Sequence, residues 1–92
     1  MIYALEFSKT ALADIEKHKA SGNKPMLKKI EKLLNELMHH PETGTGQPEL
    51  LKHSEGRLYS RRINKTHRLV YAIHQQLITV HVLGAWSHHG DK

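Results

Sequence analysis

The sequence predicts an α+β domain: an N-terminal strand, a helix hairpin, then a three-stranded antiparallel meander, forming one sheet covered by helices on one face. Three observations carry this. Residues 26–38 repeat apolar side chains at three- and four-residue steps, the period of an amphipathic helix. Residues 58–83 fall instead into three short runs rich in β-branched and aromatic side chains, split by brief polar connections. The helices are segregated from a run of adjacent strands, which indicates α+β.

Each element has a local reason. Residues 2–7 alternate weakly and hold Ile2, Tyr3 and Phe7, which suits a strand. Ser8 can cap a helix over residues 9–20, its hydroxyl taking a free N–H of the first turn. The apolar stripe of that helix is expected at Leu12, Ile15 and the small Ala11. Ser21-Gly22-Asn23 breaks it, and Pro25 suits the first turn of a second helix. There Met26, Leu27, Ile30, Leu33, Leu34, Leu37 and Met38 form the core face; Lys28, Lys29, Glu31, Lys32, Asn35 and Glu36 form the solvated one. Pro41 ends it. The short break implies an antiparallel hairpin. Residues 41–48, with two glycines and two prolines, read as a loop. Strands follow at residues 58–63, 67–74 and 77–83, joined by Asn64-Lys65-Thr66 and Gln75-Gln76.

Register decides which side chains share a face, because the strand period is two. A three-residue turn at 64–66 pairs Arg62 with Arg68 and puts Ile63, Leu69, Tyr71 and Ile73 under the helices. Arg61 then points to the face opposite Arg62. Like charges placed opposite each other repel unless an anion or a carboxylate sits between them.

The 92 residues make one domain, 1–92, with one modest core; 38% hydrophobic content suits a folded chain. The formal charge of +5 favours an acidic partner such as nucleic acid. With no cysteine there is no disulfide, thiolate chemistry or Cys-based zinc site. The nine histidines show no metal-ligand spacing, so no metal and no cofactor is expected. Residues 1–7 lack a signal-peptide pattern, and no apolar run approaches the roughly 18 residues of a membrane span. A cytoplasmic chain without a membrane role is therefore the expectation.

All four arginines lie between Arg57 and Arg68, a window that also holds Lys65 and no acidic residue. Guanidinium forks grip phosphate oxygens. Charge alone fits a phosphate-backbone site and a solvated basic hairpin equally.

Five segments narrow this. Thr43-Gly-Thr-Gly-Gln-Pro-Glu49, Leu51-Lys-His53, Tyr59-Ser-Arg-Arg-Ile63, His67-Arg-Leu-Val-Tyr71 and Ser87-His-His89, in this order, resemble the YoeB/Txe branch of the RelE-like toxins. The resemblance spans essentially the whole chain; the helix hairpin contributes pattern only. It implies a helix hairpin over a curved antiparallel sheet. It implies a toxin of a type II toxin–antitoxin module: an endoribonuclease that cuts mRNA on the ribosome without a metal. It also implies a cognate YefM/Axe-like antitoxin that wraps the toxin, and a homodimer.

Metal-free RNA cleavage needs a base for the ribose 2′-hydroxyl, cations for the charged phosphorane, and an acid for the leaving 5′-oxygen. By the resemblance, Glu49 is the base, Arg68 holds the scissile phosphate, Arg62 is a second phosphate contact and Lys52 a backbone contact. Without it, Glu49 would read as a solvated loop carboxylate. Lys65 and His67 belong to the RNA-facing set, Lys65 as electrostatic footing. His88 matches the near-terminal histidine that acts as acid or base. His89 stands where the family usually has Tyr, so the acid is His88, His89 or both. Two alternatives remain open here: a ParE-like toxin of the same fold that acts by binding a protein, and a non-catalytic RNA-binding module.

Overall fold

The structure, a computed structural model, describes residues 2–52 and 57–86. His53, Ser87, His88 and His89 lie outside the described residues. The elements run β1 (Ala4–Phe7), α1 (Lys9–Ser21), α2 (Lys24–His39), β2 (Glu49–Lys52), β3 (Arg57–Arg62), β4 (Arg68–His74) and β5 (Thr79–Gly84). The strands form one five-stranded sheet in the order β1-β5-β4-β3-β2.

The helix ends follow the sequence. The Ser8 hydroxyl accepts the Ala11 N–H at 3.0 Å, and Gly22 closes α1 in the left-handed region at φ 71°. Asn23 caps α2 by accepting the Met26 N–H at 3.1 Å, with Pro25 in the first turn. Met26, Ile30, Leu33 and Leu37 of α2 are buried against Ile63, Leu69, Tyr71, Ile73, Val80 and Val82 of the sheet side. Each fully buried aliphatic side chain contributes about 1.5–3 kcal/mol.

Three expectations need correction. First, the sheet is mixed, because β1 runs parallel to β5 with Ala4 opposite Thr79 and Phe7 opposite Val82. Second, the segment after the glycine loop is a strand: β2 pairs antiparallel with β3, Glu49 opposite Ser60 and Leu50 opposite Tyr59. It escapes the alternation rule because only Leu50 of its four residues turns inward. Third, α1 buries Ala11, Asp14 and His18, while Leu12 remains 53% exposed. Its stripe is polar because those two side chains hold backbone groups beyond β5, as described below.

The β3–β4 register is the expected one, with Arg62 opposite Arg68 and Arg61 opposite Leu69. The turn between them is held by Asn64, whose Oδ1 accepts the N–H groups of Thr66 and His67 at 2.8 and 2.7 Å. None of the described helices is long and apolar enough to cross a membrane.

Candidate functional site

Strand alternation sorts the side chains of β3 and β4 into two sets. Arg61, Ile63, Leu69 and Tyr71 point into the protein and are buried. Ser60, Arg62 and Arg68 share the other face with Glu49, which sits opposite Ser60 on β2. Arg68 Nη1 donates to Ser60 Oγ at 2.9 Å and lies 3.9 Å from Glu49 Oε1. A carboxylate thus stands beside the arginine pair, where the repulsion between Arg62 and Arg68 calls for one. The contact is long and Glu49 is 63% exposed. Such a pair contributes little to stability, and both groups remain open to a ligand. Arg62 is exposed, and no ion pair holds it among the described residues. Lys52, at the end of β2, and Lys65, on the β3–β4 turn, are also exposed.

The loop that leads to Glu49 is held by a residue that strand alternation had sent to the opposite face. Arg61 is fully buried, and every arm of its guanidinium has an acceptor. Nη1 donates to Glu36 Oε1 at 3.0 Å and to the Thr45 carbonyl at 3.3 Å. Nη2 reaches the carbonyls of Pro41 at 3.2 Å and Thr43 at 3.1 Å, and Nε reaches the Tyr71 hydroxyl at 3.2 Å. The Tyr71 hydroxyl in turn donates to the Pro41 carbonyl at 2.8 Å. Glu36 accepts the Thr45 N–H at 2.8 Å and the Thr45 hydroxyl at 2.7 Å. The loop that leads into β2 is therefore wrapped around one buried cation and tied to α2.

Electrostatics agree with this picture. Burial pushes the Glu36 carboxyl up, but the two Thr45 hydrogen bonds and the Arg61 and His40 charges outweigh it and hold the group below the usual carboxylate range. Burial pushes the Tyr71 phenol up, with Arg61 opposing. Arg57 pairs with Glu42 on the outer side of the same loop.

The glycines explain how the loop comes so close. Gly46 has φ +89°, and its carbonyl accepts the Arg62 N–H at 2.6 Å. A Cβ there would sit 2.5 Å from the Arg62 carbonyl oxygen. At Gly44 a Cβ would come 2.4 Å from Glu36 Oε1. Only glycine fits either place.

Glu36 was expected on the solvated face of α2, yet its side chain is 15% exposed. The readable signal was a charge at a core-phase position of β3, between Tyr59 and Ile63, with an opposite charge beside Leu37 on α2. Lys29, also placed on that solvated face, donates to the Ile63 carbonyl at 3.1 Å.

His67 is one residue out of phase with Arg68, and its ring packs elsewhere. It lies 4.9 Å from the His18 ring and 4.5 Å from Trp86. The structure brings Glu49, Arg62 and Arg68 together, leaves Lys52 and Lys65 at the margins, and puts His67 in a ring cluster under α1. No group of three His, Asp or Glu side chains among the described residues could hold a metal ion.

Two helices packed on one five-stranded sheet make a RelE-like fold. RelE in the RelE–RelB complex of Pyrococcus horikoshii superposes with a TM-score of 0.80 over 95% of this chain and 96% of that one; at 16% identity this likeness concerns the fold alone. The family model for the YoeB-like toxin of bacterial type II toxin–antitoxin systems matches residues 7–89, and the chain belongs to that family. Toxin YoeB of Escherichia coli K12 is 45% identical over 51 residues, 55% of this chain. The matched stretch spans 61% of the length of that curated relative. The YoeB dimer of Staphylococcus aureus is 34% identical over 96% of this chain and 99% of its own, with a TM-score of 0.77. The same toxin in the heterotetrameric YoeB–YefM complex gives 0.74.

Proposed function

We propose that this toxin is an endoribonuclease that cuts mRNA in the decoding site of the ribosome. The observation that carries the reading is Glu49 Oε1 standing 3.9 Å from Arg68 Nη1 on an open face, with Arg62 directly opposite Arg68. Glu49 takes the proton from the ribose 2′-hydroxyl. The freed oxygen attacks the adjacent phosphorus, and Arg68 and Arg62 hold the phosphate oxygens as charge develops. The 5′-oxygen leaves with a proton from His88 or His89, and the product carries a 2′,3′-cyclic phosphate. Lys52 and Lys65 guide the RNA backbone. No step in this scheme calls for a metal or a cofactor.

The partner reading follows from the family. The S. aureus YoeB–YefM complex supports a cognate YefM-like antitoxin for this chain, and the S. aureus YoeB dimer supports a homodimer. An acidic antitoxin segment would meet the same arginines that meet RNA. The place of action is the cytoplasm, where translation occurs.

The test is primer-extension mapping of a defined mRNA, with and without programmed ribosomes, beside Arg68→Ala and Glu49→Gln. Cuts confined to the decoding-site codon, present only with ribosomes and lost in both variants, are expected. No cuts in either condition overturn the reading in favour of a ParE-like inhibitor that acts by protein binding. Cutting that survives both substitutions overturns the assignment of residues.

A further inference from the structure

The two buried polar side chains of α1 both reach Ala85. Asp14 and His18 are one helical turn apart, 5% and 1% exposed. Both hold Ala85, just past the end of β5. Asp14 Oδ2 accepts the Ala85 N–H at 2.9 Å, and His18 Nε2 lies 2.8 Å from the Ala85 carbonyl oxygen. A carbonyl can only accept, so Nε2 carries the proton in this contact. Both backbone groups of one residue are thereby fixed by one helix. Ser8 adds a hold upstream: its hydroxyl donates to the Leu83 carbonyl at 3.0 Å and its N–H to the Val82 carbonyl at 2.9 Å.

The next residue is fixed as well. The Trp86 ring lies 4.7 Å from His18 and 4.5 Å from His67, with Lys17 Nζ 5.0 Å from its centroid on α1. His67 immediately precedes Arg68. One ring cluster therefore joins the start of β4, which carries Arg68, to the chain leaving β5, which continues through Ser87 to His88 and His89.

Apolar side chains on this stripe would stabilise the packing without the cost of burying a carboxylate and an imidazole. Hydrogen bonds do what apolar contacts cannot: they set direction. We propose that Asp14 and His18 are positioning residues: by fixing Ala85 and the Trp86 ring they fix the His67 ring packed on it, and so the start of β4, from which Arg68 faces Glu49. This rests on the nuclease reading for its consequence, though not for its geometry.

The experiment uses the full chain in four variants: Asp14→Ala, Asp14→Asn, His18→Phe and His18→Gln. Asn keeps an acceptor and Gln a donor; Phe keeps the ring packing and removes the donor. With programmed ribosomes, Asp14→Ala and His18→Phe are expected to lower kcat by about 100-fold, the scale of a small misplacement of reacting groups, with KM nearly unchanged. Asp14→Asn and His18→Gln should restore most of kcat. Trp86, the one tryptophan of the chain, gives a readout independent of cleavage: its emission should shift to the red, and acrylamide quenching increase, in Asp14→Ala and His18→Phe. A folded Asp14→Ala with wild-type kcat overturns the proposal, as does a loss confined to KM. If Asp14→Ala does not fold, His18→Phe against His18→Gln decides on the same criteria. If the wild-type protein cuts nothing, the nuclease reading has failed, and the clamp is judged on Trp86 emission and on hydrogen exchange at the Ala85 N–H. Wild-type behaviour of both in the variants then overturns it.

Discussion

At the scale of single residues, the strongest commitments are made by Arg61. A buried cation is tolerated only when paired and fully hydrogen-bonded, and here one carboxylate, several loop carbonyls and a phenol supply the acceptors. Arg61→Met leaves Glu36 without its cation and the carbonyls without donors. A loss of about 3–5 kcal/mol is expected, read by urea unfolding with far-UV circular dichroism. Arg61→Lys should recover only part of it, since a point charge cannot span these acceptors. The pH dependence has a definite sign. The folded-state pKa of Glu36 lies below its reference of 4.5, so its stabilising effect is present in full above that value and lost as pH falls through the lower one. Glu36→Gln should therefore flatten the acid limb of the stability profile, measured by urea midpoints from neutrality down through 4.5. The sequence exposes this pair poorly. Alternation correctly sends Arg61 to the face opposite Arg62, but a basic window reads as a surface until Glu36 is seen to reach it across 25 residues of chain.

At the scale of elements, the glycine loop decides where Glu49 stands. Gly46→Ala meets both a positive φ and the Arg62 backbone, whereas Gly22→Ala, at φ +71°, meets nothing within 4 Å. The second change should cost about 1 kcal/mol, the left-handed penalty alone. The first should cost more and should reduce cleavage, because β2 must shift. Denaturation midpoints of the two variants side by side check this. Much at this scale is legible from sequence: the cap at Ser8, the break at residues 21–23 with Pro25 after it, the α2 period and the Arg62–Arg68 register all follow local rules. Failures occur where tertiary partners override local pattern. Leu12 stays exposed while Asp14 and His18 are buried, because hydrogen bonds to Ala85 outweigh an apolar stripe. β2 is hidden because its side chains alternate weakly, and its pairing with β3 is visible only in three dimensions.

At the scale of the whole molecule, a net charge of +5 and an open face holding Arg62, Arg68 and Lys52 make salt dependence a test of the proposed RNA binding. Affinity for single-stranded RNA should fall with a log–log slope of about −0.7 per phosphate contact. Arg62→Ala and Lys52→Ala should each flatten that slope by about one contact, measured by fluorescence anisotropy across potassium chloride concentrations. A slope unchanged in both variants would remove these residues from the RNA footprint. Composition gives the sign of the partner. It does not show that the two arginines which repel across a strand pair are the ones flanking a carboxylate; that arrangement depends on β2, which the sequence alone conceals.

The parallel pairing of β1 with β5 has a consequence in time. β1 is an edge strand whose one partner is β5, and the Ser8–Leu83 hydrogen bond closes 75 residues of chain. During synthesis β1 emerges first and stays unpaired until nearly the whole domain has followed. Non-local pairing of this kind is slow, because loop closure comes before any reward. The grip of α1 on Ala85 is equally late. A nascent chain stalled before residue 79 should remain protease-sensitive in β1 and α1, and one stalled far enough beyond residue 86 should become resistant, which pulse proteolysis of stalled ribosome complexes can read. Under the proposed activity, the ribosome that makes the protein would be spared by the order in which its parts arrive.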